Sequence, residues 1–149
     1  MNLLRSLFGL KTKTEESLPQ ESFSATSGDH ITQISHGSNL VDGKPTWEHA
    51  ESGKDNLEVM LKCCEAELKT MKVAKVVAAP YYFERAAILL RKAKQYDHEI
   101  ELCERYVHAV ESYYSSSPKA DEADVRKGPR FKAIEARVSK AKLLRERAQ

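Results

Sequence analysis

The chain is 149 residues long, 41% apolar and 31% charged with a formal net charge of +2, a globular composition that excludes collagen-like and membrane-embedded classes. Charge is unevenly placed: residues 1–50 carry 4 basic and 6 acidic side chains, whereas residues 126–149 carry 9 and 2. Cys63, Cys64 and Cys103 make an odd count without framework spacing, which excludes a disulfide scaffold and predicts free thiols in a reducing cytosol.

The N-terminal run MNLLRSLFGLKTK places Leu3, Leu4, Leu7, Phe8 and Leu10 among Arg5, Lys11 and Lys13. It is too short to span a bilayer and lacks the long apolar centre and cleavage site of a signal peptide. Residues 1–11 therefore read as a short amphipathic segment. It either lies on a membrane or in a partner's groove, or docks on its own core. Residues 12–54 are rich in Ser, Thr, Gly and Gln with sparse apolar residues, and are predicted to be a disordered linker. Trp47 within it has apolar surface to bury and is predicted to dock on the helical domain. His30 and His36 are six apart, a spacing with no regular metal-ligand geometry on a helix.

Order is predicted from residue 55 to 149 as a single α domain. A first helix over 55–72 starts at Asp55, with Glu58 completing a capping box, and buries Leu57, Leu61, Cys64, Leu68 and Met71. Cys63 and Cys64 read as small core residues. VAKVVAAP is a connector, since Pro80 disfavours helix at Ala79. Helices over 81–94 and 97–115 follow, with stripes at Phe83, Ala86, Ala87, Leu90, Ala93 and at Ile100, Cys103, Val107, Val110, Tyr114. The short connection between them predicts an antiparallel pair. SSSPKADEAD is a loop with an acidic cluster at Asp121, Glu122 and Asp124. After Gly128-Pro129 a last helix over 129–147 carries Phe131, Ile134, Val138, Ala141 and Leu144 on one stripe. The rest of that helix is strongly basic.

Residues 80–107 resemble a single tetratricopeptide (TPR) repeat. Phe83 matches the opening aromatic, Ala86 and Ala87 the small pair, Leu90 the next large position and Tyr96-Asp97 the turn, with Ile100, Cys103 and Val107 on the second helix. The resemblance implies an all-α, TPR-like antiparallel helical hairpin, here flanked by two further helices that cover what neighbouring repeats would cover. Glu99, Lys94 and Tyr106 stand where the family has alanine, glycine and alanine. A carboxylate at position 99 either reaches water as the helices splay or pairs with a first-helix cation such as Arg85 or Arg91. Because Glu99 lies one residue off the Ile100 stripe, exposure is favoured, and its replacement by alanine is predicted to be neutral or slightly stabilising.

No glycine-rich phosphate loop, HExxH, paired-cysteine motif or nucleophile elbow occurs, so no enzyme, cofactor, metal or small-molecule substrate is implied. His98 and His108 are ten residues apart and cannot share a small ligand. The leading expectation is a cytoplasmic, non-enzymatic adaptor that binds an unidentified protein partner. By the resemblance, the ligand-facing positions of the first hairpin helix are Glu84, Arg85, Ile88, Arg91 and Lys92. The alternative is a peripheral binder of an anionic surface, membrane lipid or nucleic acid, through the amphipathic N-terminus and Arg130, Lys132, Arg137, Lys140 and Lys142 of the basic last helix.

Overall fold

The first elements fold from a stretch that shows no apolar period. The computed structural model describes residues 26–116 and 123–149, so the segment 1–11 and residues 12–25 of the expected linker lie outside the described residues. Within 26–54 the linker expectation is wrong. Helix α1 spans Ser27–Ile34, strands β1 (Leu40–Val41) and β2 (Lys44–Pro45) form an antiparallel hairpin, and α2 spans Thr46–Ser52. Polar side chains do here what apolar periodicity does elsewhere. Thr26 and Asp29 close a capping box on α1. Buried Asn39 donates to Thr32 Oγ1 at 2.9 Å, and Asp42 and Gly43 take the positive φ of a tight hairpin turn. Trp47 remains 41% exposed. It lies against Gly28 of α1, where a Cβ would meet the indole at 2.8 Å.

Helix α3 spans Leu57–Ala74. Its cap is Asn56, whose side chain accepts from Val59 N at 3.2 Å, and not Asp55, which pairs instead with Arg85 of the next helix. Asn56→Ala is expected to cost about 1 kcal/mol in urea denaturation, with Asp55→Ala well below that. Because the N-terminal module packs on one side of α3 and the next helix on another, the buried arc is wider than one stripe. Met60, Cys63 and Cys64 are fully buried, while Leu57 and Leu61 sit at its margin. Glu67 ties the module to this scaffold: it accepts from Thr46 Oγ1 at 2.7 Å and from Ala79 N at 3.0 Å.

Helix α4 spans Pro80–Lys92, with extended Ala79 before a proline at its first position. It ends in a Schellman motif. Gln95 N donates to Leu90 O and Lys94 N to Arg91 O, both at 2.9 Å, with Lys94 at φ 56° in a seat that favours glycine. Helix α5 then runs Tyr96–Ser116, and α6 runs Pro129–Arg147 after a short 3-10 turn at Val125–Lys127 that Asp124 caps. Asp121 and Glu122 of the expected acidic cluster lie outside the described residues.

Cross-helix pairs fix the directions of packing. Arg91 meets Glu99 and Phe83 meets Tyr106, so α4 and α5 are antiparallel. Asp97 meets Arg145 and Tyr106 meets Phe131, so α5 and α6 are antiparallel too. Glu84 with Arg130 and Arg91 with Arg137 O run α4 and α6 parallel. Helix α4 is thus enclosed by α3, α5 and α6. Phe83, Ala86, Ala87, Leu90, Cys103, Tyr106, Val110 and Ile134 form the core around it. No helix among the described residues is long and apolar enough to cross a membrane.

Candidate functional site: a cleft on the first half of helix α4

Enclosure of α4 divides the five expected partner-facing residues into two groups. Glu84, Arg85 and Ile88 remain together on the free face of its first half. They line a cleft of about 260 Å3 with Tyr81 of the same helix, Lys54 from the turn before α3, and Arg130 from the start of α6. Arg85 is held firmly: its Nε donates to Lys54 O at 2.6 Å and its Nη2 to Asp55. Arg130 donates to Glu84 at 2.7 Å while its guanidinium lies 5.0 Å from the Tyr81 ring centroid. Half-buried Ile88 is the aliphatic member of the lining.

In the second half of α4 the two remaining residues part. Arg91 is only partly exposed and turns to α5: its Nη2 lies 2.8 Å from Glu99 Oε1 and its Nε donates to Oε2 at 3.1 Å. Arg137 of α6 donates to Oε1 at 2.8 Å. Glu99 itself is 0% exposed, so the expectation that it reaches solvent is overturned. With α4 on one side of α5 and α6 on the other, the buried arc of α5 takes in the residue next to the Ile100 stripe. Two arginines meet the carboxylate there. Lys92 alone of the five points freely into solvent.

The basic helix is divided in the same way. Arg130, Arg137, Lys142 and Arg145 pair with Glu84, Glu99, Glu104 and Asp97 across helix boundaries. Lys132 and Lys140 are exposed, with no carboxylate partner among the described residues. Tyr81 was not among the expected residues, although its helical spacing to Glu84, Arg85 and Ile88 was a signal that could have included it. Lys54 and Arg130 come from distant segments, and nothing in the sequence signals their approach.

A larger and more open groove, about 610 Å3, runs along α3 beneath Leu40, Val41, Leu61 and Ala66. Its lining carries Asp42, Glu58 and Glu65 against Lys62 and Lys69 and has no aromatic side chain. The α4 cleft is smaller but chemically better defined.

The three thiols play no part in either. All are buried and free. Burial pushes Cys63 up to about 11 and Cys103 up to about 12, and holds Cys64 well above the ordinary thiol range. With Ellman's reagent at neutral pH, the native chain is expected to label slowly if at all and all three thiols to label at once in denaturant. Rapid native labelling of even one would contradict the packing of α3 against α4 and α5.

No protein-family model, no curated protein and no solved structure matches the chain.

Proposed function

We propose that the chain is a cytoplasmic, non-enzymatic adaptor that binds another protein at the α4 cleft, with α4 and α5 acting as a TPR-like hairpin and α3 and α6 covering its flanks. One observation carries the reading: the half-buried Ile88 is gathered with Tyr81, Arg85 and Arg130 into a concave site. Arginine and tyrosine around an aliphatic anchor are the side chains that dominate protein interfaces. At about 260 Å3 the cleft falls below the roughly 300–1,000 Å3 that drug-sized ligands occupy, and suits one or two side chains of a partner. Arg85 and Arg130 are already oriented by Lys54 O, Asp55, Glu84 and Tyr81, so little rotamer entropy remains to be lost on binding. Buried reduced thiols suit the cytoplasm.

Site-specific photo-crosslinking tests the assignment. A benzophenone side chain at position 88 is expected to capture a small set of discrete proteins in cells, and one at position 69, in the α3 groove, is not. Capture from position 69 alone would move the site to α3 and refute the cleft.

A further inference from the structure

The pairing pattern of α6 exposes a second surface. Four of its cations are consumed by carboxylates of α4 and α5. The three that remain, Lys132, Lys140 and Arg147, are all exposed, with no carboxylate partner among the described residues. They are not scattered. Lys132, Ala136, Lys140, Leu143 and Arg147 follow one another at intervals of four, four, three and four, which is a single stripe along an α-helix. It lies on the side of α6 opposite the buried Phe131, Ile134 and Ala141. Glu135 and Glu146, the two acidic residues of the helix, are also exposed and border the stripe on one side, three residues after Lys132 and Leu143 respectively.

We infer that this outer stripe of α6 docks the protein on an anionic lipid bilayer. Cations hold the crest of this face, with Glu135 and Glu146 confined to one flank, so the crest complements an acidic surface. Its shape is the convex outside of one helix, which meets an extended surface and cannot enclose a peptide. Leu143, 49% exposed, lies among the cations, where it sinks toward the acyl boundary while the lysine and arginine stems reach the headgroups. A phosphate backbone gives such a leucine no apolar medium, and this favours lipid over nucleic acid. Three cations and one leucine make a weak, reversible attachment, since each cation near an acidic leaflet strengthens binding only about fivefold. The contact therefore goes beyond the adaptor role and does not depend on the α4 cleft.

Co-sedimentation of the full chain with vesicles tests this. Mixed phosphatidylserine–phosphatidylcholine vesicles are expected to retain the protein at low salt and release it at high salt, while pure phosphatidylcholine vesicles do not retain it. The triple variant Lys132→Gln, Lys140→Gln, Arg147→Gln is expected to bind about a hundredfold more weakly, with its thermal midpoint unchanged because the three side chains face solvent. Leu143→Ser alone is expected to weaken binding severalfold at equal charge. Failure of the wild-type chain to bind acidic vesicles at low salt overturns the proposal. So does retention of the triple variant, which would place the contact elsewhere in the chain. Tighter binding to mixed-sequence duplex DNA than to acidic vesicles would assign the stripe to nucleic acid instead.

Discussion

Glu99→Ala is expected to lower the stability of the folded chain by about 3 kcal/mol in urea denaturation, the lower end of the cost of breaking a buried ion pair from one side. The carboxylate is wholly enclosed and receives Arg91 from α4 and Arg137 from α6, so one side chain joins three helices. Its removal leaves two guanidiniums facing each other in a poorly hydrated seam. Their side chains retain 27% and 18% exposure, and that partial access to water keeps the cost at the lower end of the range. Glu99→Gln preserves volume and one acceptor but not the charge, and is expected to fall between wild type and alanine. A loss under about 1 kcal/mol for the alanine variant would show that Glu99 is solvated in solution.

The second large effect belongs to Tyr106, another position where the resemblance implies alanine. Its ring stacks on Phe83 with centroids 4.3 Å apart and approaches Phe131 at 6.0 Å, filling the space where α4, α5 and α6 meet. The hydroxyl donates to Ala78 O at 3.0 Å, which pins the connector between α3 and α4. Tyr106→Ala removes a fully buried aromatic and is expected to cost about 4 kcal/mol. Tyr106→Phe keeps the stack and leaves only the Ala78 carbonyl unmatched, at about 1 kcal/mol. Equal losses for the two variants would mean that the hydrogen bond, and not the ring, holds the junction.

These two residues show which physics was legible in the sequence. Helices α3, α4, α5 and α6 were readable to within a few residues at each end because their apolar spacing is long and regular, and proline marks the starts of α4 and α6. The module at residues 26–54 was not, because Asn39, Thr46 and the capping Thr26 hold it through side-chain hydrogen bonds. Such bonds have no period. Glu99 was misplaced for another reason: a stripe identifies the centre of a buried face but not its width, which is set by how many neighbours the helix acquires. In the cleft, Tyr81, Glu84, Arg85 and Ile88 were accessible to sequence reasoning as one helical face. Lys54 and Arg130 were brought to it by tertiary contacts alone.

That cleft can be separated from the fold by one substitution. Ile88→Glu places a carboxylate four residues before Lys92, a supporting pair, but also four after Glu84, an opposing one. These small helix terms offset each other, so urea stability is expected to change by about 1 kcal/mol. The decisive measurement is the yield of the proteins that co-purify with the full chain, compared between wild type and Ile88→Glu. At least a tenfold drop for the variant, with both chains equally folded, is the result expected if the α4 cleft is where the partner binds. Equal recovery from the two chains would contradict it.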